Sequence, residues 1–142
     1  MIYYVNEAVF ELPDFPFVDR TVNVLEAMAA DGRSLGVLVA RSPFPKDKRL
    51  AELVEAHQAQ ERRSFRGWAS VFEREGVFDG VTAIEVGVRW RSDEGMVYQR
   101  QAHLGLADQV LLLVASSPLE EREICDASMD RLLATLRFRT AG

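Results

Sequence analysis

The sequence predicts an α+β protein, with an antiparallel β-sheet and two main helices packed on one face of it. Short stretches alternate apolar with polar residues, a pattern typical of half-buried strands. Two longer segments carry apolar residues at helical spacing. Most neighbouring strands are separated by turns rather than by helices. Hairpins therefore connect them, and strands joined by hairpins form an antiparallel sheet.

The first half of the chain is predicted to contain four strands followed by a helix, at residues 2–5, 8–12, 21–27, 35–41 and 48–66. Pro13 and Pro16 end the second strand, because proline cannot donate a ladder hydrogen bond. In the helix, apolar residues at Leu50 and Val54, with His57 one turn later, mark a single buried face.

The second half is predicted to contain four more strands and a final helix, at residues 70–75, 82–90, 96–106, 109–116 and 119–136. Ile84, Val86 and Val88 alternate with polar or small residues, as in a strand with one buried face. Residues 110–115 are instead continuously apolar, which indicates burial on both faces and a central place in the sheet.

Length and charge limit the functions that the chain can have. Its 142 residues fit one domain, residues 1–142. The net charge of −5 and the pI of about 5.1 argue against a nucleic-acid partner. No signal peptide is recognisable, and the longest apolar run is far shorter than the roughly 20 residues that span a bilayer. We therefore expect a cytoplasmic protein without stable membrane insertion.

The residues that usually carry chemistry are few and scattered. His57, His103 and the single Cys125 do not have the spacing of a metal site. Cys125 is predicted in the middle of a helix, where nothing lowers its pKa. No glycine-rich phosphate loop or serine nucleophile motif occurs. We expect no catalytic residue, metal or cofactor, while an enzyme that uses Cys125 or His57 remains the alternative.

Several short segments together resemble a known family. They are the opening strand with the Glu11–Asp14 turn, the Thr21–Val24 strand, the Trp90–Arg91 strand end, Tyr98–Gln101 and Ser116–Pro118. In order and spacing they resemble the DcrB-related (DUF1795) family. Within it the chain is most similar to the Eag chaperones, the effector-associated proteins of bacterial type VI secretion.

The resemblance implies a Mog1/PsbP-like α/β sandwich and a chaperone-adaptor function. Eag chaperones form homodimers that hold the apolar N-terminal transmembrane segments of secreted toxin effectors. They also help to load the effector onto the secretion spike protein. The implied binding positions are Val22, Val24, Gly36, Ala40, Gln101 and a polar residue on the first helix, which is His57 or its neighbour Gln58. The family has serine where this chain has Gly36 and Ala40, and glutamine on the helix.

The residues alone leave two other interpretations open. Val22 and Val24 could be ordinary core residues, with Gly36 and Ala40 merely easing sheet packing. The same sheet face could also bind a lipid or another small hydrophobic ligand without catalysis.

Overall fold

The structure, a computed structural model, describes residues 1–139. Within this range eight strands and two helices are formed, the second helix being preceded by a short 3₁₀ turn at Leu119–Glu121. The strands are β1 (Ile2–Tyr4), β2 (Val9–Glu11), β3 (Asn23–Met28), β4 (Ser34–Pro43), β5 (Ala69–Phe78), β6 (Val81–Ser92), β7 (Gly95–Gly105) and β8 (Gln109–Pro118). The helices are α1 (Leu50–Ser64) and α2 (Arg122–Thr135).

Six of the strands form one fully antiparallel sheet, in the order β3-β4-β8-β7-β6-β5. Hairpins connect β3 to β4 and link β5 through β8 in succession. The predicted antiparallel α+β fold is therefore confirmed. The continuously apolar strand, β8, lies between β4 and β7 in the interior of the sheet, as its composition predicts.

The two helices lie on opposite faces of the sheet. Tyr98 of β7 donates a hydrogen bond from Oη to Asp126 Oδ1 of α2, at 2.7 Å. Gln101 of the same strand donates from Nε2 to Glu61 Oε2 of α1, at 2.9 Å. Even and odd residues of a strand point to opposite faces. The expectation that both helices pack on one face is therefore wrong.

The reason is visible in the burial of β6. Residues 83–88 are all buried, so both faces of this strand are covered. On one face Val54 of α1 packs against Ile84, Val86 and Val88. On the other, three buried residues of α2 join the larger core, Cys125, Met129 and Leu133. The α2 face of this strand carries Ala83, Glu85 and Gly87, so only the α1 face has an apolar alternation that the sequence reveals.

The first 18 residues form an N-terminal arm outside the main sheet. Within this arm β1 pairs only with β2, as a two-stranded hairpin. The Tyr3 hydroxyl anchors the hairpin by donating to Asp19 Oδ2 at 3.0 Å. Many of its apolar side chains are exposed: Met1, Ile2, Tyr4, Val5, Val9, Phe10, Phe15, Phe17 and Val18. An isolated hairpin is only marginally stable in water, so this arm lacks the support of a full core.

The two edges of the main sheet differ in character. At the β5 edge, a register shift between Ser70 and Phe72 leaves an extra residue, and Glu73, Arg74 and Glu75 are exposed. Bulges and charges of this kind discourage pairing with another strand. At the other edge every residue of β3 is exposed, including Val24, Leu25 and Met28.

Candidate functional site

The strand register places most of the predicted binding residues on one part of the sheet. On the face that carries α1, one row across the sheet runs Val86, Gln101, Val114, Leu38 and Val24. The next row runs Ile84, His103, Leu112 and Ala40, and the row on the other side contains Gln99, Ser116 and Gly36. Val22 directly precedes β3 and falls on the same side as Val24 by alternation.

Helix α1 covers only the β6–β7 side of these rows. The surface that remains, here called the open half-sheet, is formed by β8, β4 and β3. Its residues are Val22, Val24, Glu26, Gly36, Leu38, Ala40, Leu112 and Ser116, while Val114 among them is almost fully buried. The open surface is thus half of the α1 face, and not a whole face opposite both helices.

Val22 and Val24 are not core residues. Val22 is 51% exposed and Val24 is 64% exposed. Leu38 and Leu112, towards the centre of the sheet, are half-buried. An uncovered run of branched apolar side chains on a sheet is the kind of surface that binds another molecule.

Two small residues, Gly36 and Ala40, leave space above the open half-sheet. A Cβ added to Gly36 would come no nearer than 4.0 Å to any neighbour, and that neighbour is Ser116 across the strand pair. Ala40 lies beside Leu112, two rows from Gly36 on the other side of Leu38. Small residues let a second backbone approach closely, as they do between packed helices.

Polar side chains of α1 and β7 form a border along the open half-sheet. The ring of His57 lies edge-on to the ring of His103, with centroids 5.1 Å apart. His57 Nε2 is 3.3 Å from Glu61 Oε2. Gln101, which is almost fully buried, lies beneath Glu61 and beside Val114. Gln101 therefore shares a row with Val24, which lies three strands away. His57 contacts His103, which shares a row with Ala40 two strands away.

Gln58 is not part of this border. Its Nε2 donates to Glu73 Oε1 of β5 at 3.1 Å, on the far side of α1. One residue along a helix turns the side chain by about 100°, so His57 and Gln58 cannot face the same way. Of the two alternatives for the polar helix position, the structure places His57 at the border.

Glu61 is the site residue that the sequence analysis missed. Its carboxylate accepts hydrogen bonds from Gln101 Nε2 at 2.9 and 3.2 Å and from Trp68 Nε1 at 3.2 Å. Its side chain is only 12% exposed. The available signal was its spacing, because Glu61 follows His57 by four residues and so shares the sheet-facing stripe of α1.

The border combines an anionic carboxylate with a neutral imidazole. Burial acts to raise the pKa of Glu61, but hydrogen bonds and charge from His57, with hydrogen bonds from Gln101 and Trp68, outweigh it and lower that pKa. Burial, helped by the charge of His57, lowers the pKa of His103 to about 4. At neutral pH Glu61 is therefore ionised and His103 is uncharged.

On the other face, a buried ion pair fastens α2 to the sheet. Arg100 and Glu85 are in direct contact, and both are almost fully buried. Arg100 Nη1 also donates to Asp130 Oδ1 of α2 at 2.8 Å. Hydrogen bonds to these carboxylates outweigh burial and raise the pKa of Arg100 above its ordinary value. The cluster links two layers of the fold and lies away from the open half-sheet.

Cys125 lies on this second face as well, apart from both histidines. Its Sγ donates to the backbone oxygen of Ala115 at 3.2 Å. Burial raises the pKa of this thiol to about 11, which disfavours the nucleophilic thiolate. Within residues 1–139, no three His, Cys, Asp or Glu side chains are grouped as a metal site requires. Nor does any helix in that range have the length and apolarity needed to cross a bilayer.

Known proteins share this fold at low sequence identity. The chain is similar to PA94 from Pseudomonas aeruginosa, a protein of unknown function, with a TM-score of 0.82, 17% identity and coverage of 99% of this chain and 98% of that one. It is also similar to LpqN, involved in cell envelope biogenesis of Mycobacterium tuberculosis (TM-score 0.55, 11% identity, 87% and 80% covered). A third neighbour is cyanobacterial PsbP (CyanoP) from Synechocystis sp. PCC 6803 (TM-score 0.56, 9% identity, 89% and 95% covered). The expected PsbP-like fold is confirmed.

The family is established by sequence. No curated protein matches the chain significantly. The DcrB family model, in contrast, matches residues 7–135, which include every strand of the main sheet, both helices and all the residues of the open half-sheet. The chain belongs to the DcrB family.

Proposed function

We propose that this protein is a cytoplasmic, non-catalytic chaperone-adaptor of the Eag type. It shields the apolar N-terminal transmembrane segments of a type VI secretion effector and helps to load that effector onto the secretion spike. The observation that supports this proposal most directly is the open half-sheet, an exposed apolar surface with Val22 and Val24 at its outer edge.

The surface suits an apolar helix. A transmembrane segment of about 20 apolar residues aggregates or inserts into a membrane when its side chains stay in water. Each Val or Leu side chain that is fully covered on binding contributes roughly 1.5–3 kcal/mol before the costs of association. Gly36 and Ala40 leave room for the helix backbone, while Leu38 and Val24 contact its side chains.

A homodimer follows from the same proposal. One open half-sheet covers a single side of a helix, so a second copy is needed to enclose it. The N-terminal arm and the β3 edge supply apolar surface for that second copy. Exposed apolar side chains that lie together on the surface of a small protein are typical of interaction surfaces.

The test is co-expression with the N-terminal segment of a candidate effector. The wild-type protein should keep the segment soluble, and the double variant Val22→Asp/Val24→Asp should not, because two carboxylates would be buried against an apolar helix. Val77→Asp is the matched control, since Val77 is 68% exposed but lies on the opposite edge strand, β5. A segment that is equally soluble with and without the protein, or with the double variant, refutes the proposal.

A small hydrophobic or lipid ligand is the second candidate, because the same open half-sheet is apolar. Native mass spectrometry of the protein purified without any effector separates the two functions. The chaperone proposal expects a mass equal to the polypeptide alone or to its dimer. A lipid that remains bound in the absence of effector would favour the second candidate.

A further inference from the structure

A groove on the α1 face continues the open half-sheet at the carboxyl end of β3. Gly36 and Ser116 form its inner border, where it joins the open half-sheet. The next row outwards contains Met28, Ser34 and Val97. The groove has a volume of about 670 Å³, and Met28 at its rim is 75% exposed. Bulky apolar side chains can therefore enter it without displacing the sheet.

The N-terminal arm ends in a short aromatic segment, Phe15–Val18. Phe15 is 68% exposed and Phe17 is 48% exposed, and their rings lie edge to face with centroids 6.3 Å apart. Pro13 and Pro16 keep this segment out of a β-ladder, because proline has no N–H group to donate. Within residues 1–139, no arm residue belongs to either apolar core cluster. The apolar side chains of the arm therefore lack cover from their own domain.

The uncovered area of the arm is large enough to contribute to a stable interface. Its four exposed aromatic residues are between 46% and 74% exposed, and they are Tyr4, Phe10, Phe15 and Phe17. At roughly 150–250 Å² for each whole aromatic side chain, they leave on the order of 500 Å² uncovered. Each partner in a standard protein interface buries about 800 Å². The aromatic residues of the arm alone can supply more than half of that area.

The arm is anchored at the wrong end of β3 to fill the groove of its own chain. Arg41 Nη1 donates to the backbone oxygen of Thr21 at 3.0 Å and to Asn23 Oδ1 at 2.9 Å. These bonds hold the base of the arm at the amino end of β3. From Val22 to Met28 the strand rises about 20 Å, at roughly 3.3 Å per residue. The groove of the same chain therefore lies at the far end of the strand.

Pairing of two copies brings an arm and a groove together. The outer edge of β3 has no neighbouring strand within residues 1–139. Two β3 edges that pair across a two-fold axis run antiparallel, so the amino end of one lies beside the carboxyl end of the other. The two sheets then join with their α1 faces on the same side. The arm of each copy consequently begins beside the groove of its partner.

Building on the homodimer of the proposed function, we propose that the Phe15–Val18 segment of each copy packs into the groove of the other copy. Phe15 and Phe17 then contact Met28 and Val97 of the partner, next to the Gly36 position that receives the client. The two exchanged arms close the opposite ends of the joined open half-sheets. Each client-binding surface is therefore completed by residues of the second copy.

Cross-linking between two variants of the full-length protein tests this placement. One chain carries Val18→Cys and an affinity tag, the other carries Ser34→Cys, and the two are co-expressed. A bismaleimide joins neighbouring thiols, and the tag gives the heterodimer its own mass. The native Cys125 does not compete, because it is fully buried and burial raises the pKa of its thiol to about 11.

We expect at least about tenfold more cross-linked heterodimer than in the control pair, because a docked arm raises the effective concentration of its thiol at the groove. The control pair combines Val18→Cys with Ser70→Cys, the same serine substitution placed on β5 at the opposite edge of the sheet. Adding Phe15→Ser/Phe17→Ser to the Val18→Cys chain should reduce the yield to that of the control. Thermal melts establish that each variant is folded.

The outcomes separate this inference from the proposed function. A wild-type protein that is monomeric by light scattering refutes the homodimer and the exchanged arm together. A dimer whose Val18→Cys and Ser34→Cys chains yield no more heterodimer than the control pair refutes only the exchanged arm, and the chaperone function stands. The same holds if the double variant Val18→Cys/Ser34→Cys cross-links within one chain, because the arm would then occupy its own groove.

Discussion

At the level of single residues, the pair of Arg100 and Glu85 is important for stability because both charges are buried. Arg100 joins the sheet to α2 through Asp126 and Asp130, so removing it leaves the Glu85 carboxylate buried beside only the more exposed Arg74. Breaking a buried ion pair from one side is strongly destabilising, whereas replacing both partners by apolar residues is often tolerated.

We expect Arg100→Ala to lower the free energy of unfolding by about 3–5 kcal/mol, measured by urea denaturation. Asp130→Asn is the control, because this side chain is 63% exposed and its loss should cost about 1 kcal/mol or less. The double variant Glu85→Leu/Arg100→Met should recover part of the loss. If Arg100→Ala lowered the free energy of unfolding no more than Asp130→Asn does, the Arg100–Glu85 pair would not be what links α2 to the sheet.

His103 gives a pH dependence whose sign can be worked out. Its folded pKa is about 4, below the ordinary value of 6.5. Between these values the unfolded chain binds a proton that the folded protein does not. The contribution of His103 to the free energy of unfolding is therefore fully present above about pH 6.5 and is lost as the pH drops towards 4. The total loss is roughly 3 kcal/mol, because each pH unit corresponds to about 1.4 kcal/mol.

Urea denaturation at about pH 7 and about pH 5 measures this contribution. The wild-type protein should lose more stability over this interval than His103→Leu, which has no imidazole to protonate. An equal loss in both proteins would mean that His103 titrates normally in the folded state.

At the level of elements, we expect glycine-to-alanine substitutions at two strand positions to differ in their effect on the melting temperature. A Cβ on Gly87 of β6 would lie 2.3 Å from the ring of Phe72, whereas one on Gly36 of β4 has open space. Gly87→Ala should therefore lower the melting temperature, with a cost of about 1–3 kcal/mol from overpacking. Gly36→Ala should leave the melting temperature nearly unchanged. Equal melting temperatures for the two variants would contradict this packing.

The strand pattern predicts which residues share a face, but not which face a helix covers. Gln99, Gln101 and His103 alternate with Tyr98 and Arg100, so their common side follows from sequence alone. That side looks solvated because it is polar. In the structure Glu61 of α1 covers part of it, and the Glu61 carboxylate accepts a hydrogen bond from Gln101 Nε2 at 2.9 Å.

At the level of the whole molecule, the N-terminal arm should determine the oligomeric state. Phe10 is 46% exposed on the two-stranded hairpin, and Phe10→Glu would place a charge on the surface proposed to pack against a second copy. We expect light scattering to show a dimer for the wild-type protein and mostly monomer for Phe10→Glu. Val77→Glu, on the β5 edge, should remain dimeric. A wild-type protein that is monomeric at all concentrations would refute the homodimer.

The periodicity of the sequence predicts most of the strands and helices, but it predicts fewer of the residues of the candidate site. Each strand and helix was predicted near its observed position, because alternation and helical spacing are local signals. Val24, Gly36 and Ala40 were placed together through the resemblance, and the register confirms that they share a face. Glu61 was not predicted, because its partners Gln101 and Trp68 are distant or irregularly placed in the sequence, and hydrogen bonds between elements leave no periodic trace.

The difference between the β3 and β5 edges of the sheet also limits how copies of the protein can associate. If β3 of one copy met β5 of the next, the contact would repeat head to tail and grow into a fibre. The bulge and the charges on β5 discourage that contact. Two β3 strands can instead pair across a two-fold axis, and neither β3 edge is then free to pair with a further copy. If the proposed homodimer pairs two β3 edges, association therefore stops at two copies instead of continuing into a polymer.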